Sequence, residues 1–189
     1  MLLRRALLFL LAAGLTVFAQ APGKGLVIVL IGPPGSGKTT QAEFLHKKYA
    51  IATLTVDDLR RNANGSTDKL NASLRKQVLS ADTKKGFVID GYPSTRAEAD
   101  YLGSLVKEAK LPPPIIIQLD VPDAEVRRRM QGKPGTADLD ARLADYRKEL
   151  ELARSYYPES DIWTIIGTKE PKEVFDTIVV LIRDRGLEQ

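Results

Sequence analysis

Residues 32–40 read GPPGSGKTT and lie between the apolar run LVIVLI (26–31) and the helix-like segment QAEFLHKKY (41–49). Gly32, Gly37, Lys38 and Thr39 fill the spacing G-x-x-x-x-G-K-[ST]. The chemistry this allows is anion binding. Glycines let a backbone fold around a charged group with its N–H groups turned inward. A helix beginning near Lys38 points its positive dipole end at the same place. Lys38 adds a full charge for terminal phosphates, and the Thr39 hydroxyl suits magnesium. The loop as a whole, Gly32, Pro33, Pro34, Gly35, Ser36, Gly37, Lys38, Thr39 and Thr40, is the expected phosphate cradle. Asp90 is the second element. It ends the apolar run FVID before Gly91, and a carboxylate at the carboxyl end of a buried parallel strand lies at the ligand edge of a sheet. There it can hold magnesium directly or through water.

These groups need a scaffold. Strand-like runs fall at 26–31, 52–55, 87–90, 114–119 and 162–166, and three of them are almost wholly apolar, as strands buried on both faces should be. Helix-period segments lie between them at 38–49, 68–84, 95–109, 123–132, 138–156 and 171–185. Leu139, Leu143, Tyr146, Leu150 and Ala153 share one face, as do Val174, Phe175, Ile178, Leu181 and Ile182. Alternating β and α segments predict an α/β fold with a parallel sheet and helices on both sides.

Composition narrows the field. The 189 residues contain no cysteine, which excludes disulfides, thiolate zinc sites and a cysteine nucleophile, and a single histidine, which excludes a histidine metal cluster. The formal charge of +4 is a mild surplus with no basic patch interleaved with aromatics, so no nucleic-acid partner is expected. Residues 1–21 read differently from the rest. Arg4 and Arg5 precede an apolar stretch from Ala6 to Val17, and Ala19-Gln20-Ala21 has the A-x-A form of a cleavage site. The apolar stretch is short for a membrane span, which needs about 20 residues. This pattern predicts export to the periplasm or a membrane anchor; a misassigned start codon would leave the protein cytoplasmic. Residues 22–189 then form the folded domain.

The motifs in order resemble the adenylate kinase and nucleoside monophosphate kinase family. GPPGSGKTTQAEFL resembles the family's GxPGxGKGTQ, GFVIDGYPST its GFLLDGFPRT, and DVPDAEVRRRM its DVPDEVxxxRL. ARLADY is similar to RL-x-x-Y, and IIGTKEPKEVFDTI to the closing DGT-x-x-P-x-x-V segment. The likeness runs from about residue 26 to 185. It implies a three-layer α/β/α P-loop NTPase fold with a five-stranded parallel sheet, ATP with Mg2+ as donor, a nucleoside monophosphate as acceptor, and a monomer. By resemblance Arg129 lies near the donor base, Lys133 and Arg142 reach the phosphates, and Gly167 and Lys169 lie against the donor adenine. Lys38, Arg129, Arg142 and Asp90 would carry catalysis, and Thr39 and Asp90 the metal. Arg61 and Asp58 match the acceptor segment, with Gly91, Ser94 and Glu98 beside it.

The departures fall mostly on acceptor grip and lid closure. Thr39 stands where the family has glycine. Val56 replaces a hydroxyl, Ser94 replaces an arginine that grips the acceptor phosphate, and Glu98 replaces the glutamine that reads adenine. The acceptor segment (56–85) and the lid (130–141) are both short, which predicts slower transfer and some ATP hydrolysis. Two other readings stand beside this one: a P-loop kinase of another small metabolite, and a nucleotide-binding protein with weak or no kinase activity.

Overall fold

A computed structural model describes residues 25–187 apart from Gly135. The leader-like segment 1–21 lies outside the described residues. The elements are β1 (Leu26–Ile31), α1 (Lys38–Tyr49), β2 (Ala52–Thr55), α2 (Val56–Ala63), α3 (Thr67–Val78), β3 (Gly86–Asp90), α4 (Arg96–Glu108), β4 (Ile115–Asp120), α5 (Asp123–Met130), α6 (Leu139–Tyr156), β5 (Ile162–Ile166) and α7 (Pro171–Asp184).

The strands form one sheet in the order β2-β3-β1-β4-β5, with every pairing parallel. Val29 sits opposite Ile89 on one side and Ile116 on the other, so β1 is the centre of the sheet. The three most apolar runs are the three inner strands, and the edge strands β2 and β5 alternate buried with exposed residues. Alternate residues of β1 serve opposite faces. Val27, Val29 and Ile31 pack with Leu70 and Leu74 of α3 and Leu102 and Leu105 of α4. Leu26, Ile28 and Leu30 pack with Leu45 of α1 and Val174, Ile178 and Ile182 of α7. A smaller cluster of Val121, Val126, Met130, Leu139 and Leu143 joins α5 to α6. That cluster holds both helices over the carboxyl edge of the sheet.

The sequence reading is corrected at two places. Helix α2 was not expected, because VDDLRRNA shows no full apolar stripe; Val56, Leu59 and Ala63 nevertheless bury one side of it. The helix expected over 68–84 stops at Val78. There the buried Thr83 hydroxyl lies 2.6 Å from the Val78 carbonyl and satisfies a helix end that would otherwise be orphaned.

The tightest backbone approach is at Gly86. Its φ is +111°, and a Cβ there would lie 1.9 Å from the Leu26 carbonyl oxygen. Gly86→Ala is therefore expected to break the β1–β3 pairing and abolish cooperative thermal unfolding. Gly103→Ala, in α4 with open space around it, should keep or raise the melting temperature. Similar melting of the two variants would contradict this account of the pairing.

Candidate active site

The phosphate loop joins β1 to α1 as the motif requires. Gly37 precedes the helix with φ +98°, and no side chain caps the first turn. The leading amides of α1 are thus left for an anion. The Ser36 hydroxyl is buried with no hydrogen-bond partner among the described residues, a further donor within the loop. Lys38 Nζ donates to the Gly32 carbonyl at 2.8 Å and lies 3.4 Å from the Pro33 carbonyl, so the loop's own backbone holds the cation over its mouth.

A cleft of about 650 Å³ opens above the loop. Gly32, Pro34, Gly35, Ser36, Gly37, Lys38, Thr39 and Thr40 line its floor, and Asp57, Asp90, Gly91, Lys133, Arg142, Asp145, Tyr146 and Glu149 its walls. Asp90 Oδ1 lies 4.0 Å from Lys38 Nζ. Burial raises the Asp90 pKa above the ordinary carboxylate range, and the Lys38 charge opposes the rise. Burial also raises Glu149. Arg142, Asp145, Tyr146 and Glu149 follow the i, i+3, i+4, i+7 spacing of one helix face. The motif match ARLADY reached Tyr146 but named only Arg142 for the site; reading the spacing on to Glu149 could have identified the whole wall.

A second cleft, of about 280 Å³, shares Ser36, Gly37 and Thr40 with the first. Arg129, Gly167 and Lys169 line it, with Gln41 and Glu125. Arg129 spans it as a brace. Its Nη1 donates to the Gly35 carbonyl at 3.2 Å, its Nη2 to the Gly167 carbonyl at 3.0 Å, and its Nε to Glu125 at 2.6 Å. One side chain thereby connects the phosphate loop with the loop after β5. Glu125 also accepts from Arg128, and the Arg128 and Arg129 guanidiniums together hold its carboxyl down to about 2.

The third cleft, of about 420 Å³, shares Asp57, Gly91, Asp145 and Glu149 with the first and adds Arg60, Ser94 and Lys148. Here the structure corrects the sequence register by one residue. Arg61, expected to take the acceptor phosphate, is exposed and lines none of these three clefts. Burial of Val56 and Leu59 turns Arg60 into the cleft and Arg61 about 100° away from it. Asp57, likewise, lines the cleft where Asp58 was expected; the side chain of Asp58 lies outside what is described. The spacing Asp57-x-Leu59-Arg60 was visible in the sequence as D-x-L-R with its leucine inward.

Glu98 differs in kind from the expectation. It is almost wholly buried and receives the Arg60 guanidinium through both carboxylate oxygens, each at 2.9 Å. It also accepts from the Ser94 amide at 2.7 Å and the Ser94 hydroxyl at 3.0 Å. These bonds hold its pKa below the usual value against the opposing effect of burial, the largest single influence on it. A carboxylate committed in this way has little capacity left for reading a base.

The family model for an AAA domain matches residues 31–147. The adenylate kinase of Leptospira biflexa serovar Patoc is 30% identical over 180 residues, covering 80% of this chain and 97% of the relative. Those of Methanosarcina barkeri and Pseudarthrobacter chlorophenolicus are each 28% identical and cover 82% of this chain, with 98% and 96% of the relatives. The chain belongs to the adenylate kinase family. The matched range 31–147 contains the loop from Gly32 to Thr40 and Asp90.

The burial of Asp90 and Glu149 has a consequence for stability. Both folded pKa values lie above the ordinary range, so within that window the native state binds more protons than the unfolded chain, and stability falls as pH rises through it. Asp90→Asn removes the Asp90 share. The variant should melt higher than the wild type at pH 8, and the advantage should shrink towards pH 4. An equal or lower melting temperature at pH 8 would refute this electrostatic account.

Proposed function

We propose that the protein transfers the terminal phosphoryl group of ATP to a nucleoside monophosphate, giving ADP and a nucleoside diphosphate, and that it acts as a monomer. The observation that carries this reading is the continuity of the three clefts. A base site beside Gly167 and Lys169 leads through the phosphate loop to a site beside Arg60 and Ser94, with Lys38 at the centre. Two nucleotides entering from opposite ends would meet phosphate to phosphate over Lys38, the alignment that in-line transfer needs.

The chain's own groups divide the work. Loop amides and Lys38 bind and orient the donor phosphates. Arg142 and Lys133, on the opposite wall, balance charge that spreads over the transferring group. An acceptor phosphate is already anionic, so no side chain needs to remove a proton from it. Thr39 on the floor and Asp90 on the wall line the same cleft, and their hard oxygen donors suit Mg2+, which takes few protein ligands and completes its shell with phosphate and water. Magnesium would supply further neutralisation of the phosphate charge. The short lid segment supports slower transfer with some loss of ATP to water.

ADP release by the full chain should rise on adding AMP, CMP or UMP, over a lower rate with ATP alone. Lys38→Ala should lower the transfer rate by roughly a hundredfold or more. Full activity in that variant would remove the loop from the reaction; no acceptor-dependent ADP release in the wild type would reject the kinase reading.

The leader-like pattern of residues 1–21 supports an exported or membrane-held location. N-terminal sequencing of the mature protein should then begin at Pro22. A chain beginning at Met1 in the soluble cytoplasmic fraction would contradict export.

A further inference from the structure

The acceptor cleft contains an arginine whose end-on fork is already taken by a carboxylate of the protein. A guanidinium offers two bidentate edges, Nη1 with Nη2 and Nε with Nη2, and both use Nη2. In Arg60 the first edge is filled by Glu98, through Nη1 to Oε1 and Nη2 to Oε2 at 2.9 Å each. The remaining Nη2 hydrogen is directed at the Ser94 hydroxyl at 3.0 Å, with the Gly91 carbonyl at 3.4 Å. The Tyr92 ring lies behind, 5.9 Å from the guanidinium carbon. The first fork is therefore filled by the protein itself, and the second has its Nη2 hydrogen already engaged.

The rest of the cleft makes this costly for an anionic ligand. Asp57, Asp145 and Glu149 line it, and the cations among its lining residues are Arg60 and Lys148. Lys148 faces Asp145 at 3.3 Å. With Arg60 held by Glu98, an acceptor phosphate meets carboxylates and two already paired cations. Release of Arg60, in contrast, would free Glu98 Oε1 but leave Oε2 held by the Ser94 amide and hydroxyl. The pair is built so that one partner can leave.

We propose that Glu98 competes with the acceptor phosphate for Arg60, so that acceptor binding is an exchange in which the phosphate takes the guanidinium from Glu98. The proposal rests on the kinase reading above and adds to it the residue that sets acceptor affinity. Glu98 then acts through Arg60, as a positioning residue and not a catalytic one.

The test is equilibrium binding of AMP by titration calorimetry to the full chain and to E98Q, S94A, R60A and R60A/E98Q, with thermal melting of each. E98Q should tighten AMP roughly threefold, the scale of a partly exposed ion pair, and leave ATP affinity unchanged. S94A should tighten AMP by less. R60A should weaken AMP, and E98Q should add nothing in the R60A background. Weaker or unchanged AMP binding by E98Q overturns the exchange, since Glu98 would then be holding Arg60 in its working position or be idle. An equal gain with and without Arg60 also overturns it, as simple removal of a charge. If E98Q does not fold, S94A decides by tightening AMP or failing to. AMP binding without transfer from ATP would reject the kinase reading while leaving the exchange open to the same titrations. No AMP binding by any form would reject both.

Discussion

Gly37 enters α1 in the left-handed conformation and brings no side chain to the helix's first turn. In α3 and α4 the leading amides find a capping oxygen, where Ser66 and Thr95 accept from Lys69 and Glu98; α1, like α2, α5, α6 and α7, has no side-chain cap. At α1 that satisfaction is withheld. The helix instead presents its donors, its dipole and Lys38 to one point in space, and the structure around the cleft can be understood as holding that point open. β1 is the strand that must support it, and it is the most enclosed strand in the sheet, paired on both sides and buried along its whole length. A loop left short of internal bonds needs a rigid base, and the sheet centre provides it.

The cleft walls balance this positive focus with carboxylates. Asp90, Asp57, Asp145 and Glu149 surround Lys38 at the carboxyl edge. Without ligand this arrangement keeps the cation close to neutral surroundings, at the expense of burying Asp90 and Glu149 where ionisation is disfavoured.

Two arginines show how differently one side chain can serve a cleft. Arg129 joins two loops by donating to their backbone carbonyls, so it shapes the donor side whether or not ligand is present. Arg60 is held by a buried carboxylate and the Ser94 hydroxyl at the acceptor side. Ser94 and Glu98, two of the departures from the family's acceptor motifs, meet on Arg60. The change at the acceptor is therefore a local rewiring around one cation.

The sequence alone was enough for the layered α/β fold, the G-x-x-x-x-G-K-[ST] loop between β1 and α1 and the strand-end position of Asp90. These are local matters: buried strands are apolar along their length, helices bury one stripe, and a G-x-x-x-x-G-K-[ST] loop binds through its own backbone. Tertiary structure decided the rest. It set α2, eight residues with three apolar side chains, as a helix and thereby turned Arg60, and not Arg61, into the cleft. It brought Glu98 of α4 across to Arg60 of α2 and laid the Asp145–Glu149 face of α6 over Lys38. Such pairings are fixed by how helices pack on the sheet. In a short polar helix, a shift of one residue turns a side chain by about 100°, which is beyond the resolution of a motif match with one leucine to anchor it.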